Sequence, residues 1–301
     1  MKLLLTLSFS LLCLSSEIWA AACCGGASSM PTMILGDDKA QISSSYTFSK
    51  VDIDSVDNEG YWHRWDQHIT TETFKIQGSH LLSDLWQMGF GIPIVKRARD
   101  QENFSGLGDL NLNVGYEFLP EWDYHPIRPK GLAFFQITVP TGKTKIESEN
   151  GGLDSTGNAL WSLGMGLVLT KVIKKLDLQF SWDWHHSFQK KFNNSSFSGN
   201  LIPGNGQNLS LGFGYNLENF RIGHTVIWTS EDPIRISSLD PNYESAGYRE
   251  NFATGTVSLS FLASEEYSHT LSYADQTWYG TPQNTSLAKS INYLLQKRWG
   301  R

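Results

Sequence analysis

Few residues in this chain are arranged for chemistry. His185-His186-Ser187 sets an imidazole and a hydroxyl two residues apart. On an extended strand this spacing puts His185 and Ser187 on one face and His186 on the other, so the ring could activate the hydroxyl for nucleophilic attack. No third residue that would orient the ring is evident, and the face carrying the pair proves to be the wrong one. His63, Asp66 and His68 share a polar stretch with Trp62 and Trp65, but their spacing fits no specific metal-ligand pattern. Glu147, Glu149 and Asp154 form an acidic stretch that could bridge divalent cations or lipopolysaccharide; a hydrated loop is the simpler reading. No phosphate loop, zinc motif or dinucleotide fingerprint occurs. The expectation is no enzyme, no catalytic residue, no metal and no cofactor.

The N-terminus reads as an export signal. Lys2 precedes an apolar run from Leu3 to Leu14, and Ala20-Ala21-Ala22 offers a small-residue cleavage site before Cys23. The run is too short for a stable anchor, which needs about 18 apolar residues. Residues 1–22 are therefore expected to be removed. Cys13 leaves with them, so Cys23 and Cys24 alone remain, and adjacent cysteines do not build a disulfide framework. Cys23 is a candidate lipidation site, although Ala20 stands where a lipobox usually has Leu. Unmodified or oxidised thiols are the alternative.

The elements that must position any site are legible from periodicity. In Leu176-Asp177-Leu178-Gln179-Phe180-Ser181-Trp182-Asp183-Trp184-His185 every even residue is apolar and every odd one polar, so one strand face is greasy and the other wet. Comparable segments recur, giving twelve expected strands at about 39–53, 70–82, 86–96, 107–119, 131–141, 158–172, 176–188, 207–216, 220–231, 251–262, 267–276 and 287–299. Odd-numbered gaps are long and polar, and even-numbered ones are short, apart from that between Pro120 and Lys130. A soluble sandwich has no reason to sort its loops by side. A bacterial outer-membrane barrel does, with long extracellular loops and short periplasmic turns.

The faces agree with that reading. Leu110, Leu112, Val114 and Tyr116 oppose Asp109, Asn111, Asn113 and Glu117, and almost no charge falls on the greasy faces, as lipid contact requires. Trp86, Trp182, Trp184, Trp228 and Trp299 stand near greasy strand ends, where aromatic girdles belong. A net charge of -6 gives no basic surface for nucleic acid. The fold class expected is an all-β, closed, antiparallel up-and-down membrane-spanning barrel over residues 39–301. Barrels of about eight strands are filled by side chains and those of about sixteen hold a water channel, so twelve lies between. The candidate lumen-lining residues are Lys75, Asp109, Glu117, Asp177, Asp183, His185 and Arg221. They read equally as a permeation path of mixed charge or as an ion-paired network that fills the barrel. Residues 23–38, which include Met30, Pro31, Met33, Ile34 and Leu35, read as a periplasmic segment that could enter the lumen as a plug, or as a tail.

Gly106-Leu107-Gly108-Asp109-Leu110-Asn111-Leu112, followed by Phe135-Gln136-Ile137-Thr138-Val139-Pro140-Thr141-Gly142, resembles the outer-membrane barrel transporters described as "MetA-pathway of phenol degradation" proteins. These are distant relatives of hydrophobic-compound channels. The resemblance is clearest over residues 73–170 and implies a barrel and transport, with no particular substrate. The chain departs from the usual barrel ending, because Gly300 and Arg301 follow the terminal aromatic Trp299; this weakens the signal read by the barrel assembly machinery. The function expected is a channel or transporter for passive uptake or efflux of small-molecule solutes across the bacterial outer membrane, with that membrane's lipids and the assembly machinery as partners. A structural or surface-interaction barrel is the alternative, and a lipid-modifying barrel enzyme a remote one.

Overall fold

The computed structural model describes residues 31–65, 69–122, 125–193, 198–238 and 245–300. Twelve strands close into one barrel: β1 Asp38–Val56, β2 Thr70–Leu81, β3 Trp86–Arg99, β4 Leu110–Leu119, β5 Lys130–Val139, β6 Ser162–Ile173, β7 Leu176–Ser187, β8 Asn205–Asn216, β9 Phe220–Glu231, β10 Glu250–Leu262, β11 Tyr267–Asp275 and β12 Thr285–Gly300. Each pairs antiparallel with its sequence neighbours. The sheet closes through β12 on β1, in register from Ala40 opposite Trp299 to Val51 opposite Ala288, and then through two register shifts to Val56 opposite Thr285. Closure leaves no free edge, so backbone polar groups in the wall are bonded from strand to strand, as a bilayer demands.

The two faces separate as the alternation requires. On β3, Met88, Phe90, Ile92 and Ile94 are exposed on the outer surface, while Gln87, Gly89 and Gly91 are buried within. The tryptophans Trp86, Trp228 and Trp299 are exposed on the outer face near strand ends. All twelve expected strands are present, and the departures fall at their extracellular ends. The stretch 97–106, expected as a polar loop, is a hairpin: β3 continues to Arg99, turns at Asp100 (φ 54°), and returns as Glu102–Leu107. β3 therefore pairs with β4 only over Trp86–Gly91 and with the hairpin return over Ile94–Arg99. The hand-over falls at Pro93, which has no N–H to give a ladder; its carbonyl accepts from Gly108 N–H.

The expected polar loops 189–206 and 232–250 also carry order. Lys190–Asn193, Ser198–Ile202, Arg235–Ser238 and Ser245–Ala246 form a small antiparallel sheet outside the barrel. Phe192 and Leu201 from it pack on Leu160, flanked by Ile146, Ile234 and Ile236. Apolar residues too sparse to form an alternating pattern thus give the extracellular loops their own core.

Candidate functional site: the barrel lumen

The lumen is partly occupied by the chain itself. Residues 31–37 run inside the wall before β1 begins. Gln87 makes a two-way bond to Ile34: its Oε1 accepts from the Ile34 N–H (2.6 Å) and its Nε2 donates to the Ile34 carbonyl (3.2 Å). Gln41 donates to the Met33 carbonyl, Asn113 to the Thr32 carbonyl, and Gln77 to the Thr32 hydroxyl. Lys130 Nζ reaches the Gly36 carbonyl at 3.4 Å. An irregular segment cannot form a ladder, so wall amides satisfy its backbone instead. Met33 also packs on Phe134 and Val168, with Leu35 beside them. Phe134, Val168 and Leu132 point inward, against the rule of a polar inner face, and the segment shields that patch from water. Gly89 permits the approach, since a Cβ there would lie 2.5 Å from the Thr32 carbonyl.

The seven residues singled out from the sequence have different settings. Glu117 pairs with Lys130 across neighbouring strands (3.3 Å), with both side chains buried. Arg221 binds Asp177 through Nε (2.8 Å) and Nη2 (2.6 Å), and Asn216 donates to the same carboxylate. Asp183 accepts from Asn208, whose own oxygen accepts from Thr229. His185 Nε2 meets Glu231 Oε2 at 3.2 Å. Lys75 reaches along the wall beside Gly91 and Gln77. Asp109 lies between the hairpin return and β4, where its carboxylate accepts from the Gly142, Asn158 and Ala159 backbone N–H groups. It therefore fastens the β5–β6 loop. Cys23 and the signal segment lie outside the described residues.

Sequence reasoning passed over several lumen residues. Lys130, Glu231 and Glu250 stand at strand ends, where the parity of the segment is weakest. Arg97 was assigned to a loop, and Arg298 lies on β12 opposite Gln41. At the extracellular end Lys145, from the short helical turn Lys145–Glu147, descends toward Glu250. Burial, reinforced by the Arg97 charge and opposed by Glu250, pushes the Lys145 ammonium down to about 8. Arg97 and Lys145 thus stand on one side of this narrow end, with Glu231, Glu250 and His185 on the other. In the loop above, burial raises the Asp154 carboxyl, but bonds from Lys143 (2.5 Å) and Ser148 outweigh it and hold it well below the usual range.

His185 and Ser187 share the inner face, away from lipid, and Glu231 holds the ring of His185. His186 lies on the outer face, stacked on Trp184 and bonded to Asn205. His63 binds Asp57; Asp66 and His68 lie outside the described residues. Among the described residues no group of three or more His, Cys, Asp or Glu is placed to hold a metal ion.

No family model matches the chain. The architecture is nevertheless shared with solved barrels. An outer membrane channel from Pseudomonas putida F1 superposes with a TM-score of 0.71 at 14% identity, over 91% of this chain and 100% of that one. The NanC porin matches at 0.47 and 11% identity, over 86% and 98%. The fold is therefore that of a bacterial outer-membrane channel.

Proposed function

We propose that this protein is a passive outer-membrane channel for small-molecule solutes, and that residues 31–36 act as its lumenal plug. The observation that carries this reading is how the lumen is divided. The segment rests on β1 to β6, while inward hydroxyls of β10, β11, β12 and β1, such as Ser258, Thr270, Ser272, Ser290 and Thr47, stay partly accessible. A barrel that served only as a scaffold would be expected to fill both halves. The contacts holding the segment are side-chain hydrogen bonds of about 1 kcal/mol each, so they can be exchanged for water. The likeness to the channel from Pseudomonas putida F1 in fold supports the same reading. The inward position of His185 and Ser187, away from lipid, speaks against lipid modification.

The test is single-channel conductance of the full chain in planar bilayers, beside a variant lacking residues 31–36. Small steps in the native protein and larger ones in the deletion are expected. Absence of conductance and of solute flux from both would remove the channel reading. Equal conductance in the two would remove the plug.

A further inference from the structure

Three lumenal cations lack a carboxylate partner among the described residues, and they lie on β3, β2 and β12, around β1, at regular intervals. Arg97 on β3 stands opposite Thr71, which is opposite Ser49 of β1. Lys75 on β2 is opposite Ser45, and Arg298 on β12 is opposite Gln41. Projected onto β1, the three occupy the levels of residues 49, 45 and 41, four residues apart, or about 13 Å along the strand at about 3.3 Å per residue. The Nε atoms of Arg97 and Arg298 are buried without a hydrogen-bond partner, and no carboxylate acts on Lys75 or Arg97.

The acids that could have neutralised them are held elsewhere. Glu117 is taken by Lys130, Asp177 by Arg221 and Glu231 by His185, and Glu250 faces Lys145 at the extracellular end. Asp183 and Glu231 are buried in the wall formed by β7 to β9. From β10 round to β3 the lumen presents hydroxyls, amides and these cations, with Glu250 beside Lys145 at its extracellular end. Unpaired charge in a low-dielectric wall is costly, and an ion entering beside it relieves that cost. Spaced sites of one sign also let an ion enter, bind and leave by steps.

We infer that Arg97, Lys75 and Arg298 form a ladder that selects small anions, organic carboxylates in particular, along the hydroxyl-lined side of the lumen. Arg97 receives the anion at the extracellular end, Lys75 holds it at mid-height, and Arg298 passes it toward the periplasm. The inference rests on the channel reading and adds the charge class of the solute.

Reversal potentials across a potassium chloride gradient, and then a potassium lactate gradient, test it on the full chain. Anion permeability should exceed that of potassium by about tenfold, the low end of the enrichment expected of a cleft lined by one sign of charge. Lys75→Gln should bring the ratio toward one, and Lys75→Glu should invert it. Merely structural cations would leave the ratio unchanged while altering stability. A conducting channel with no selectivity, or one that prefers potassium, would overturn the ladder and leave the channel standing. Absence of conductance would overturn both.

Discussion

The carboxamide of Gln87 reads the backbone of Ile34 as a neighbouring strand would, accepting from its N–H at 2.6 Å and donating to its carbonyl at 3.2 Å. Both bonds are buried, and among the described residues no other side chain binds the segment through two of them. Gln87→Leu should remove about 2 kcal/mol of docking energy at about 1 kcal/mol per bond, shifting the docked-to-free ratio roughly thirtyfold. Larger and more frequent open steps in single-channel records are the expected result. An unchanged open probability would show that the segment's other contacts hold it without Gln87.

How far the sequence reveals this molecule depends on which force shapes each part. The strands were readable because lipid on one side and water on the other imprint a period of two, as in Leu176 to His185. The β3–β4 hairpin at 97–106 was not, because above the membrane both faces meet water and the alternation fades. The docking of residues 31–36 could be suspected only from the apolar Met33, Ile34 and Leu35. Its partners Gln87 and Asn113 look like any other polar lumen residues. Asp109 is the instructive case. Its parity is that of a lumen residue, but three loop N–H groups claim its carboxylate, and such long-range capping leaves no periodic trace.

That capping predicts the behaviour of Asp109→Ala. The substitution frees the N–H groups of Gly142, Asn158 and Ala159, at a cost of about 2–3 kcal/mol if water replaces the carboxylate only in part. The β5–β6 loop should then become open to proteases between residues 142 and 158 while the barrel stays heat-resistant on gels. Gly157→Ala should act in the same direction, since its Cβ would fall 2.5 Å from an Asp109 oxygen. Protection of the loop equal to wild type in both variants would refute the capping role.

Lys145 predicts a pH response. Its ammonium, pushed down to about 8 by burial and by Arg97, is charged in both folded and unfolded chains below that value, so its burial cost is then fully present. Between about 8 and the usual 10.5 the unfolded chain binds more protons than the folded one, and stability rises with pH. At the extracellular end the same deprotonation removes a positive charge. Anion preference should therefore fall between about pH 7 and pH 9, and Lys145→Met should reduce that slope to the part contributed by the neighbouring Glu250. A slope equal in wild type and Lys145→Met would rule out Lys145 as a titrating group.

The Glu117–Lys130 pair separates ion pairing from simple filling. Both side chains are buried, 3.3 Å apart, and Lys130 also reaches the Gly36 carbonyl. Removing the carboxylate alone, as in Glu117→Leu, strands a buried ammonium, and breaking such a pair costs about 3–5 kcal/mol. The double variant Glu117→Leu/Lys130→Met removes both charges together, and a hydrophobic replacement of a buried pair is close to neutral or stabilising. It should recover most of the loss in urea unfolding from lipid vesicles, short of about 1 kcal/mol for the bond to Gly36. Conductance distinguishes the two variants further. Glu117→Leu leaves Lys130 to bind the segment and should stay closed, whereas the double variant loses that bond and should open more often. A double variant as unstable as the single one would mean that the pair matters for shape rather than charge, because the lumen would then be penalising the lost volume and not the stranded ammonium.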